Sequence, residues 1–226
     1  MRHLPTLEQG AGDGKGYGMT RTSRLAASIV ASVLLTASAV AGPLGTDPTG
    51  IPGFTGTVAF SASDGQTSLL IDLDFAVFEP GVYPDDGIAG DDPSDGTDYV
   101  YAYQAFNIGD AGAAVLTTFS VGLASGAGAA NVGDDPLHEL TGGLSPDSAQ
   151  LFADSAKFDY EPPQLPPGEW STVLLFTSPN PPTFGDASVI NGGLADQRSV
   201  PVPLPEPTTL VLLTVVAAAA RRRRAI

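Results

Sequence analysis

Between Phe54 and Ile190, runs of apolar side chains at every second position recur, a period that puts them on one face of an extended strand and their polar neighbours on the other. The clearest run is Leu69, Ile71, Leu73, Phe75 and Val77, opposite Ser68, Asp72 and Asp74. Phe54, Gly56, Val58 and Phe60 form a second run. Residues 99–108 form a third, with Tyr99, Tyr101 and Tyr103 opposite Val100 and Ala102. Val115 to Leu123, Phe152 to Tyr160 and Trp170 to Phe176 continue the pattern, and a weaker run covers Ala187 to Ile190. The breaks are built from turn formers: Asp64-Gly65, Pro80-Gly81, Asp95-Gly96, Gly142-Gly143, Pro166-Pro167-Gly168 and Pro179 to Pro182. About seven short strands, each with one apolar face, close a core only against a second sheet. The predicted fold is therefore all-β, a single antiparallel β-sandwich of immunoglobulin-like or jelly-roll-like type over residues 42–203.

Composition removes several chemistries. The 226 residues contain no cysteine, which excludes disulfides, thiol nucleophiles and Cys-ligated metal centres. The formal net charge is −15, and an acidic surface repels phosphate backbones, so nucleic acid is not an expected partner. Ten basic residues include Arg221, Arg222, Arg223 and Arg224 in one cluster, and only Lys157 and Arg198 fall within residues 42–203, against 22 acidic residues. That body carries −20 by itself.

Two apolar segments read as addresses. Arg21 and Arg24 precede Leu25 to Leu35, and Ala39-Val40-Ala41 follows, the basic, apolar and small-residue order of a signal peptide over residues 19–41. Cleavage after Ala41 leaves Gly42 first, and residues 1–18 are expected to be a misassigned or disordered extension ahead of Met19. At the other end, residues 204–226 place Pro205-Glu206-Pro207 before Thr208 to Ala220, which lack charge, and then the four arginines. As a helix those 13 residues reach about 20 Å, short of a ~30 Å hydrocarbon core, which makes a short membrane helix. The arginines favour the cytoplasmic side and leave the body facing outward.

This order resembles the PEP-CTERM sorting signal of exported bacterial proteins, with Pro205, Glu206 and Pro207 at the signature tripeptide. The resemblance covers about the last 23 residues and implies recognition by a membrane-embedded exosortase after passage through the export translocon. It also implies release or retention at the cell surface of a bacterium that makes exopolysaccharide. The catalytic groups of that processing belong to the sorting enzyme. Many members carry glycines in the apolar helix, whereas Leu210 to Ala220 contain none. The body, through Tyr101 to Asn107 and Leu165 to Leu174, is similar to extracellular β domains often found ahead of such tails.

Within the body, Asp85, Asp86, Asp91, Asp92, Asp95 and Asp98 make the densest acidic loop. Hard oxygens on a flexible loop suit Ca²⁺, and Asp91, Asp95 and Asp98 are its candidate ligands. The EF-hand spacing fails, since Pro93 falls at the third position, and a solvated loop explains the same residues. Asp134-Asp135 is a smaller acidic turn of the same kind. Asp72 and Asp74 share a strand face at roughly 7 Å, a separation that suits two glycosidase carboxylates and equally a wet strand face. His138 is the only imidazole in the body, with no nucleophile motif beside it, and Gly122 to Gly133 lacks the lysine of a P-loop. Tyr99, Tyr101 and Tyr103 either pack in the core or present rings to a sugar. The expectation is a non-enzymatic surface or matrix protein without a cofactor. Its alternatives are a calcium-dependent module binding extracellular polysaccharide and, behind that, a secreted hydrolase.

Overall fold

The structure is a computed structural model that describes residues 44–84, 93–136 and 143–205. The expected signal peptide with Ala39 and Ala41, the Glu206-Pro207 half of the motif, the apolar stretch and Arg221 to Arg224 lie outside the described residues. Among those described, no helix is long and apolar enough to cross a membrane.

Ten strands form, joined by turns and preceded by one 3₁₀ turn at Leu44–Thr46: β1 Thr55–Ser63, β2 Ser68–Phe78, β3 Tyr99–Asn107, β4 Thr118–Gly122, β5 Ala130–Asp135, β6 Ser148–Leu151, β7 Ser155–Asp159, β8 Val173–Ser178, β9 Pro182–Asn191 and β10 Leu194–Pro203. They make two five-stranded sheets of order β1-β2-β3-β8-β5 and β10-β9-β4-β7-β6. Every pairing between named strands is antiparallel. The chain changes sheet five times, between β3 and β4, β4 and β5, β5 and β6, β7 and β8, and β8 and β9, with β4 beside β7 in one sheet and β5 beside β8 in the other.

The alternation seen in sequence is what holds the two layers together. Leu69, Ile71, Leu73 and Tyr103 of the first sheet share one apolar cluster with Phe119, Val121, Phe158 and Val200 of the second. Tyr103 and Phe119 meet at 5.6 Å between ring centroids, and Phe119 stacks on Phe158 at 5.9 Å. Each such side chain, once buried, contributes about 1.5–3 kcal/mol. The arrangement is sandwich-like, with a second apolar cluster on the outer face of the first sheet. There Leu44 and Tyr83 cover Ala76, Phe78, Val100, Ala102, Val173 and Leu175. That cover explains why β2 is buried without interruption from Leu73 onward, where strict alternation predicts a wet face.

Three strand expectations are corrected. The run from Phe152 to Tyr160 is two strands, β6 and β7, paired as a hairpin around a turn that leaves Phe152 49% exposed. β8 starts at Val173 instead of Trp170, because Trp170 bridges Phe106 one residue out of the register that pairs Tyr103 with Leu174. The Ala187 to Ile190 segment is the second half of a ten-residue strand. β5 and β10 were not visible as strands at all. β10 is an edge strand, so Pro201 and Pro203 remove no ladder hydrogen bond that the sheet requires.

The two edges β1 and β10 are clasped. Asp196 accepts from the Ser61 amide at 2.7 Å and pairs with Arg198 at 2.9 Å, while Arg198 Nε donates to the Ala59 carbonyl at 3.0 Å. Charged groups thus cover backbone that would otherwise be free to pair with another chain.

Candidate functional site

The residues singled out in sequence scatter. Asp95 and Asp98 lie on the turn that leads into β3, where the Ser94 carbonyl accepts from the amide and the hydroxyl of Thr97 at 3.1 and 2.9 Å. Asp95 is exposed with a left-handed φ of +52°, and Asp91 lies outside the described residues, as do Asp85, Asp86, Asp92 and His138. Among the described residues, no three His, Asp or Glu side chains gather as a metal site requires.

The tyrosine strand does not face a ligand. Tyr101 and Tyr103 are fully buried; Tyr101 stacks on Phe176 at 5.2 Å, and its hydroxyl donates to the Asn180 carbonyl at 2.8 Å. Tyr103 donates to the Pro201 carbonyl, tying the core to β10. Burial raises both phenol pKa values, and the neighbouring tyrosine in each case adds to the rise. A sugar platform on this face is therefore corrected to core packing, with only Tyr99 partly exposed.

The acidic pairs are likewise structural. Asp74 is buried, accepts from the Thr57 hydroxyl at 2.5 Å and lies under Gly45, so it does not frame an open cleft with Asp72. Asp134 and Asp135 form the end of β5 instead of a turn; Asp134 accepts from Thr172 at 2.9 Å and Asp135 from the Tyr83 hydroxyl at 3.0 Å.

Ser171 is the centre of a buried polar group. Its hydroxyl accepts from the Ala105 amide at 2.9 Å and its carbonyl from Gln104 Nε2 at 3.0 Å. Leu144 bridges the same segment in parallel, its amide donating to the Trp170 carbonyl at 2.8 Å. Gly143 lies so close that a Cβ there would overlap the Ser171 carbonyl. The Tyr160 hydroxyl is buried nearby without a well-formed hydrogen bond. Burial raises its pKa, the Ser171 contact opposes that, and the Asp134 charge adds to it. A cavity of about 270 Å³ lined by Gly143, Leu144, Pro163, Gln164, Pro166 and Glu169 opens on this side.

A larger groove, about 370 Å³, lies where the chain leaves the body. Its walls come from Leu123 and Ala124 after β4, Asp154 of the β6–β7 turn, Thr183 to Asp186 of β9, and Val202, Pro203 and Pro205. Phe184 is 52% exposed and is held by stacking on Phe54 at 5.3 Å. Gly185 sits where Val202 leaves no room for a Cβ, the nearest methyl carbon being 2.6 Å from its ideal position. Asp154 and Asp186 are both exposed at the groove. The groove thus offers one aromatic ring, two carboxylates and the first residue of the candidate sorting motif.

Sequence reasoning missed this groove because the prolines from Pro179 to Pro182 hid the start of β9. The signal was nonetheless present: in the alternation through β9, Phe184 falls on the same side as Asp186 and Ser188, an aromatic on a polar face. No family model, curated protein or solved structure matches the chain.

Proposed function

We propose that this is an exported, non-enzymatic protein of the cell envelope or extracellular matrix, carried through the export translocon and processed by an exosortase at Pro205-Glu206-Pro207. The observation that carries the reading is the order of motif, uncharged stretch and arginine cluster over residues 205–224, paired with the signal-like segment at 19–41. The position of the motif supports it, since Pro205 follows the last strand by two residues and is partly exposed. The tail acts as a transient inner-membrane anchor until it is removed. The body is read as a β-sandwich in which β4-β7-β6 and β5-β8 interlock as in immunoglobulin-type domains, an inert acidic unit suited to display.

Intact mass of the protein extracted from the cell surface tests the reading. A product beginning at Gly42 and lacking the stretch from Thr208 onward is expected. A surface form that retains Arg221 to Arg224 overturns the processing step.

A further inference from the structure

The chain leaves the folded body with almost no slack before the tail. β10 ends at Pro203, Leu204 is still fixed by its amide to the Pro181 carbonyl at 2.8 Å, and Pro205 lines the groove. The uncharged stretch begins at Thr208, three residues on, so backbone of that length reaches at most about 10 Å from Pro205. A body of this size has a radius of gyration of about 15 Å. A tether that short does not keep the body clear of whatever membrane protein engages residues 205–207.

What the body presents at that point is the groove. Phe184 is 52% exposed, an anchor-like ring beside the apolar walls of Leu123, Val202, Pro203 and Pro205, and Asp154 and Asp186 supply a negative rim. Apolar anchors inside a charged rim are the usual anatomy of a recognition patch. We propose that this groove is a docking surface for the membrane-embedded protease that processes the tail, whose matching patch is apolar with a cationic border. The proposal rests on the sorting reading above and adds a second recognition element outside the motif. The carboxylates argue against the bilayer itself as occupant, because anionic lipid repels them.

The test follows tail removal from the full-length chain by pulse-chase in cells that carry out the processing. E206A is expected to block removal, D154K/D186K to slow it about tenfold through like-charge contact, and F184S to slow it as well. Eight Gly-Ser residues inserted between Leu204 and Pro205 uncouple body from motif, so in that background the charge reversal has no further effect. Both aspartates are exposed, and a melting temperature of the secreted body that does not fall shows that the fold is intact. Normal processing of E206A ends the sorting reading and the docking proposal together. Blocked E206A with wild-type rates for D154K/D186K and F184S ends the docking proposal alone. Faster processing after charge reversal also overturns it, in favour of direct lipid contact, as does a reversal effect that persists with the spacer.

Discussion

Phe119 and Tyr103 show what a single side chain does in this molecule. Phe119 stands between the sheets, against Tyr103 on one side and Phe158 on the other, so F119A leaves a cavity that neither layer fills. We expect a loss of about 3–5 kcal/mol, read as a lower midpoint in urea unfolding; a loss under 1 kcal/mol would show that the layers collapse together. The phenols add a pH dependence. Tyr101, Tyr103 and Tyr160 have pKa values raised above 10 in the folded state, chiefly by burial, so above that pH the unfolded chain releases protons that the folded one keeps. Their stabilising contribution is complete below pH 10 and is lost as pH rises through the folded-state values. Thermal unfolding should therefore be flat from pH 7 to 9 and fall steeply above about pH 10, with Y101F/Y103F flattening the fall. Tyr99, Tyr101 and Tyr103 were visible in sequence as one strand face, but period two says only that the residues share a side. It does not say which side meets the other sheet, and the Asn180 and Pro201 carbonyls that accept from two of them arrive from far along the chain.

At the scale of elements, the legible strands were those whose own residues favour extension. β1, β2 and β3 match their alternating runs to within two residues, because Val, Ile, Phe and Tyr fit a pleated surface. β5 reads Ala-Asn-Val-Gly-Asp-Asp and has no such preference; pairing with β8 and the bonds from Thr172 and Tyr83 to its aspartates recruit it. β10 was hidden by prolines that only an edge position tolerates. The groove was hidden with it, since three of its walls belong to β9, β10 and the β6–β7 turn. Two substitutions test these elements. G143A forces a Cβ into the Ser171 carbonyl, and a loss of about 1–3 kcal/mol is expected by thermal unfolding, with an unchanged melting temperature counting against the close approach. D196A removes the acceptor for the Ser61 amide and the partner of Arg198, a partly exposed pair. A loss of about 1 kcal/mol and greater aggregation on storage, seen by light scattering, are expected as the β1 and β10 edges part.

For the whole molecule, charge is the dominant physical property. The body has two cations, Lys157 paired with Asp159 at 2.8 Å and Arg198 paired with Asp196 at 2.9 Å, against 22 acidic residues over 42–203. Self-repulsion of that excess opposes the compact state, and salt screens it over about 10 Å at 0.1 M. Raising sodium chloride from 10 to 300 mM should therefore raise the melting temperature by about 2–4 °C, the shift that 1 kcal/mol brings in a domain of this size. A fall over the same range would mean that the two ion pairs outweigh the repulsion.

The clasp between the edge strands has a mechanical meaning for any pull applied to the chain end after β10. Pull on Pro205 and the force enters β10, which is zipped to β9 along ten residues and tied through Asp196 and Arg198 to β1. The load is divided between both layers at the moment it arrives. An edge strand that would otherwise peel away alone instead transmits tension into the whole body.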